Sequence, residues 1–221
     1  MMQVHAHISD LEAVLHSVPR RIVACSGGID SLLLATMAYR LSPGGTVIAH
    51  AVSPAVPEAA EHRVRDFSTR EGWDTQYVQT GEFDDPAYLS NPVNRCFHCK
   101  DHLYSRLTQL HQHFSGVDWQ DAIVMSGANL DDLKEYRPGL EAAKNYGVRH
   151  PFIEAGIDKN TIRNICKELG LPIAELPASP CLASRLYTGT RVTAERVRAI
   201  DLAETAIKNA ANINVVRCRI R

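Results

Sequence analysis

No stretch of the 221 residues approaches the length of an apolar membrane span. The opening MMQVHAHISD has neither the basic region nor the apolar run of a secretory signal. No membrane partner is expected, and the protein is read as cytoplasmic. An excess of charge of one sign is also missing. Twenty-four Lys and Arg stand against 25 Asp and Glu, so nothing pulls the chain as a whole toward nucleic acid. The glycines followed by Lys-Ser or Lys-Thr that mark a Walker loop do not occur, which excludes a kinase or GTPase type of phosphate loop. There is no internal repeat, no low-complexity segment and no second C-x-x-C. Six cysteines in a reducing compartment argue against a disulfide scaffold and for metal or sulfur chemistry.

With 45% hydrophobic residues the chain can bury a full core of ordinary domain size. The hexapeptide Ser26-Gly27-Gly28-Ile29-Asp30-Ser31 lies between an apolar strand at 21–25 and a run of helix formers at 31–40. Glycines at the entry to a helix let the backbone approach an anion where free N–H groups and the helix dipole favour it. The turn is therefore read as a pyrophosphate cradle for ATP split between its α and β phosphates. Asp30 would hold Mg²⁺ against the phosphates or orient the loop.

Further along, Ser9 with Glu12 predicts a capping box opening a helix to about residue 18. Strands are predicted over 46–52, 75–79, 121–126 and, as a terminal alternating strand, 214–221. Helices are predicted over 57–71, 161–169 and 193–209. This alternation predicts an α/β fold, a parallel sheet covered by helices on both faces, with ligand at the strand C-terminal ends, where Ser26, Ser53 and Gly127 fall. Pro172, Pro177 and Pro180 form a stiff connector. The expected division is 1–178 as the nucleotide domain and 179–221 as a small C-terminal α+β part.

Cys96 and Cys99 form the C-x-x-C, flanked by Arg95 and Lys100, and can grip one metal or cluster. Cys181, beside Arg185 in Cys-Leu-Ala-Ser-Arg, is the candidate third ligand. Three thiolates hold a cubane iron-sulfur cluster and leave one iron open. Cys166 and Cys25 read as small core residues, and Cys218 stays undecided. His111 and His113 form a possible metal pair, though a solvated helix end explains them as well.

The hexapeptide resembles the SGGxDS signature of the PP-loop N-type ATP pyrophosphatases, which implies adenylation with release of pyrophosphate. The chain as a whole is similar to one family within that group, the LarE-type sulfur transferases. The similarity rests on the hexapeptide, Asn91-Pro92, Arg95-Cys96, Cys99-Lys100, Gly127-Ala128-Asn129, Asp131-Asp132, Arg137-Pro138-Gly139, Lys159, Ile162-Arg163 and 181–185. The resemblance implies a PP-loop, adenine nucleotide α-hydrolase-like fold. It also implies ATP-dependent conversion of a carboxylate of pyridinium-3,5-biscarboxylic acid mononucleotide to a thiocarboxylate, in the making of a nickel-pincer nucleotide. One branch of the family sacrifices the sulfur of the cysteine matching Cys181. Another holds a [4Fe-4S] cluster on three cysteines, which here are Cys96, Cys99 and Cys181.

The same resemblance assigns Lys159 to neutralising pyrophosphate, Asp30 and Asp132 to Mg²⁺, and Arg217 and Arg219 to the substrate phosphate. Ser26, Gly27, Gly28, Ser31, Ser53, Gly127, Asn129 and Arg185 complete the expected binding set, and Cys181, Asp30 and Lys159 the catalytic one. A small nucleotide substrate, a sulfide source the sequence does not name, and a homo-oligomer built as a trimer of dimers are implied. The family continues beyond the point where this chain ends, so 179–221 is read as incomplete relative to it. The competing readings are a tRNA-thiolating enzyme, an ammonia-fed ligase and a nucleotide or metal sensor. The first conflicts with the near-neutral charge, and the second leaves three cysteines without a task.

Overall fold

The computed structural model describes residues 2–110 and 119–221, so the His111 and His113 pair lies outside the described residues. In chain order the elements are α1 (Met2–His16), β1 (Arg21–Ala24), α2 (Ile29–Leu41), β2 (Thr46–Val52), α3 (Glu58–Glu71) and β3 (Thr75–Gln79). Then come α4 (Pro86–Leu89), α5 (Arg95–Gln109), β4 (Ile123–Ser126), α6 (Pro138–Asn145), α7 (Pro151–Glu154), α8 (Lys159–Glu168) and α9 (Ala194–Ala211). The four strands form one all-parallel sheet in the order β3-β2-β1-β4. This is the α/β, parallel-sheet architecture expected from the sequence.

Alternation along the strands sends side chains to two separate cores. Val23, Ile48 and Met125 face a core shared with α1, α2, α3 and α8, built around Leu11, Leu15, Leu33, Val64, Phe67 and Ile162. Ile22, Ala49 and Val124 face the other, closed by Leu103, Tyr104 and Leu107 of α5 and Ala142 and Ala143 of α6. A third cluster joins Ala55 and Tyr88 to Leu182, Ala183, Leu186, Val197 and Ile200. The segment after the prolines thus packs on the loops that leave β2 and β3. No helix among the described residues is long and apolar enough to cross a membrane.

Two expectations are corrected. Ser9 does not cap a helix but lies inside α1, because Val4 and Ile8 carry the apolar stripe of Leu11 and Leu15 back toward the N-terminus and pack on the same core. The terminal strand does not form. Residues 214–221 make a single bridge, Ile220 to Leu186, in which Tyr187 N–H donates to the Ile220 carbonyl at 3.1 Å and Ile220 N–H to that of Arg185 at 3.1 Å. The partner segment is a 3₁₀ turn, Leu182–Arg185, which offers no extended edge on which a ladder can propagate.

Candidate functional site

The glycine turn at 26–31 is shaped by Ser31 and by two close backbone approaches. Ser31 Oγ donates to the Gly28 carbonyl at 3.0 Å and accepts from Ser26 N–H at 3.1 Å. Its one proton being committed, Ser26 Oγ is the donor in their 3.2 Å contact. Gly27 sits at φ +76°, and a Cβ there would stand 2.4 Å from the Ala60 carbonyl oxygen of α3. Only glycine meets both demands. Gly127 has an ordinary φ, but a Cβ there would lie 2.9 Å from Ser31 N and 3.0 Å from Asp30 C, so the end of β4 abuts the start of α2.

Around this turn the expected charged residues meet. Lys159, the first residue of α8, places Nζ 2.6 Å from both carboxylate oxygens of Asp30. Burial raises the Asp30 pKa, Lys159 opposes that, and the charge of Asp132 adds to it. Asp131 fixes Lys159 from behind, its Oδ2 accepting from Lys159 N–H at 2.9 Å. Asn129 and Asp132 cap the 3₁₀ turn Leu130–Lys134 reciprocally, and Asp132 also pairs with Arg137 at 3.1 Å. Ser53 Oγ donates to Glu82, whose other oxygen accepts from Thr80 Oγ1, and it accepts from Ala55 N–H at 3.2 Å.

The three cysteines share one neighbourhood. Cys96 and Cys99 lie in the first turns of α5, and Cys181 directly precedes the 3₁₀ turn at 182–185. Asn91, buried and at φ 53°, makes the join. Its Nδ2 donates to the carbonyls of Tyr187 at 2.8 Å and Thr190 at 3.0 Å, and its Oδ1 accepts from Arg95 Nη1 at 2.7 Å. Arg95 Nη1 also donates to the Ala183 carbonyl at 2.7 Å, and Nη2 lies 3.9 Å from Cys96 Sγ. Burial pushes the Cys99 thiol up to about 12. Lys100 opposes this, while Cys181, Glu82 and Cys96 add to it. For Lys100 burial works downward, and Tyr104, Cys99, Cys181 and Cys96 together outweigh it.

Three free thiols beside two cations suit an iron-sulfur ligand set chemically. Among the described residues, no three His, Cys, Asp or Glu side chains stand as a formed metal-binding group. The thiols are neighbours rather than a closed cage.

No protein-family model matches the chain. It is 36% identical over 220 residues to the uncharacterized protein slr1717 of Synechocystis sp., a match covering 98% of this chain and 78% of that one. The chain belongs to the family of that protein. A more distant relative is the pyridinium-3,5-bisthiocarboxylic acid mononucleotide synthase of Lactiplantibacillus plantarum. It is 28% identical over 200 residues, 90% of this chain and 71% of the relative. The uncharacterized protein MJ0830 of Methanocaldococcus jannaschii is 28% identical over 188 residues, 85% of this chain and 69% of that one.

Within this member of the family the remaining expected residues are placed differently from one another. Arg185 is buried, and its Nε and Nη2 grip both oxygens of Glu204 at 2.9 and 3.2 Å. Its Nη1 reaches the carbonyls of Pro180 and Cys181. It therefore orients the backbone at Cys181, while the cations whose charge acts on the thiols are Arg95 and Lys100. Arg217 and Arg219 are exposed, with Val216, Cys218 and Ile220 half-buried between and beside them. Four residues escaped the sequence reading: Glu82, Arg63, His150, whose Nδ1 lies 2.8 Å from Ser126 Oγ, and Glu204. None of the four belongs to a motif or to a ligand spacing, so no local signal marks it.

Proposed function

We propose that this protein is an ATP-dependent sulfur transferase that adenylates a carboxylate of pyridinium-3,5-biscarboxylic acid mononucleotide and converts it to a thiocarboxylate, releasing AMP and pyrophosphate. The observation that carries the reading is the meeting of Cys96, Cys99 and Cys181 around Arg95 and Lys100 in a chain that also holds Asp30 and Lys159 at a glycine-built phosphate loop. The name of the Lactiplantibacillus relative supports the substrate.

In this mechanism the N–H groups opening α2 and the glycine backbone receive the phosphates. Lys159 turns from Asp30 to the pyrophosphate as negative charge collects there. A carboxylate oxygen of the substrate attacks the α-phosphorus, and the α–β P–O bond breaks. The acyl-adenylate has a good leaving group where the free carboxylate had none. A sulfur nucleophile then adds to the acyl carbon, and the C–O bond to AMP breaks. Asp30 and Asp132 are the residues we assign to Mg²⁺, which would offset phosphate charge. Cys96, Cys99 and Cys181 are those we assign to a [4Fe-4S] cluster, which would supply sulfide chemistry. The homo-oligomer belongs to the same proposal.

The test is anaerobic purification with iron and acid-labile sulfide analysis, followed by assay with the mononucleotide, ATP, Mg²⁺ and sulfide. Thiocarboxylate, AMP and pyrophosphate should form together, and Cys181→Ala should release pyrophosphate but form no thiocarboxylate. Thiocarboxylate from that variant would remove Cys181 from sulfur transfer. No pyrophosphate release by the unaltered protein would sink the whole reading. An iron-free protein that loses the Cys181 sulfur after one turnover would place it in the sacrificial branch.

A further inference from the structure

Arg63 reaches from α3 onto the phosphate loop. Its Nε donates to the Gly27 carbonyl at 2.9 Å, while Nη2 is shielded from water and has no hydrogen-bond partner among the described residues. Nε and Nη2 lie on one edge of the planar guanidinium. Elsewhere in this molecule that edge takes both oxygens of a carboxylate, as in Arg40 on Glu71, Arg149 on Glu154 and Arg185 on Glu204. At Arg63 the same edge spends one donor on a neutral carbonyl and keeps the other. Burial lowers its pKa, and Asp66, which lines a cleft with it, forms no ion pair with it. A half-buried cation in that position is costly unless an anion arrives.

The other cations near the loop are engaged. Lys159 is paired with Asp30, and Arg163 donates to the carbonyls of Ala174 and Leu176. The segment those carbonyls belong to also lines a cleft with Arg63: Pro172, Ile173 and Leu176 face Arg63 and Phe67 across it. The orphan donor thus stands at the loop, on the edge of the guanidinium that already touches Gly27.

We propose that Arg63 Nη2 binds an oxygen of the pyrophosphate moiety, both as the β and γ phosphates of ATP and as the departing product. This rests on the ATP-cleaving reading of the loop given above. Arg63 is then a binding residue on the leaving-group side of the reaction, and its bond to Gly27 couples loop geometry to that group.

The experiment is calorimetric titration of the full chain with inorganic pyrophosphate and Mg²⁺, and separately with AMP, for the unaltered protein, Arg63→Gln and Arg63→Lys. Loss of a charged hydrogen bond should weaken pyrophosphate binding by about tenfold or more in Arg63→Gln, with AMP binding unchanged. Arg63→Lys restores the charge without the planar edge and should recover part of the loss. Equal weakening of AMP and pyrophosphate would show that Arg63 only shapes the loop, and unchanged pyrophosphate affinity would show that it touches no phosphate. Either overturns the proposal. The thiocarboxylate assay is independent of this titration, so failure of one is not failure of the other.

Discussion

At Asp30 two opposing effects meet in one contact. Burial makes the carboxylate costly to ionise, and Lys159 makes it cheap by standing 2.6 Å from both oxygens. With about a quarter of the Asp30 side chain still exposed, solvent screens part of that attraction. His50 is the contrasting residue. It is fully buried on β2, and its Nδ1–H donates to the carbonyl of Cys25, the residue before Ser26, at 2.7 Å. Burial lowers its pKa. The Cys25 carbonyl and Glu61 oppose that, Arg65 adds to it, and Tyr77 meets the ring edge-on.

The neutral form is the one that fits, so the folded-state pKa lies below the unfolded value of 6.5. The contribution to stability is complete above that value and is lost as the pH falls below it. Denaturant unfolding at about pH 7.5 and about pH 5 should therefore show a loss that His50→Asn reduces, since Asn keeps a donor for Cys25 but does not titrate. An unchanged acid slope in the variant would assign the effect elsewhere.

At the scale of elements, the junction between β4 and α2 is the tightest point of the site. In Gly127→Ala the new methyl would meet backbone atoms, Ser31 N and Asp30 C, which cannot swing aside as a side chain tip can. The start of α2 must retreat. We expect a stability loss of about 1–3 kcal/mol together with weaker nucleotide binding, read from the unfolding midpoint and an ATP titration. Wild-type affinity in the variant would show that the junction does not shape the loop.

The strands were legible because each is a short apolar or β-branched run bounded by turn residues, and β2 and β3 fall at the limits their patterns predict. α5 was not legible. Asn94 provides no side-chain cap, and Cys96, His98, Cys99 and His102 suggest ligands sooner than a helix. It forms because Leu103, Tyr104 and Leu107 close the second core.

At the scale of the whole molecule, the buried pair Arg185 and Glu204 ties α9 to the turn behind Cys181, and Glu204 also accepts from Cys218 N–H at 3.1 Å. Glu204→Leu should cost about 3–5 kcal/mol by leaving Arg185 buried without a counter-charge. Adding Arg185→Met should restore much of that, because the charge needing a partner is then gone. Denaturant unfolding of the two variants measures both effects. A double variant no better than the single one would mean that the pair holds its neighbours by shape rather than charge.

The four strands of the sheet, the helices α2, α3, α8 and α9, the glycine turn before α2 and the residues able to carry sulfur chemistry are legible in the sequence alone, since periodicity, turn chemistry and residue type act over a few neighbours. Three matters belonged to the tertiary structure: that Cys181 stands beside Cys96 and Cys99, that Arg185 turns inward to Glu204, and that Arg63 is left with a buried donor at the loop. Each depends on which distant backbone carbonyls and carboxylates a long cation reaches after the sheet has formed, as when Asn91 and Arg95 clasp residues 183–190. No local pattern encodes that, because the partners are almost a hundred positions apart along the chain and meet only when burial forces their polar atoms to be satisfied.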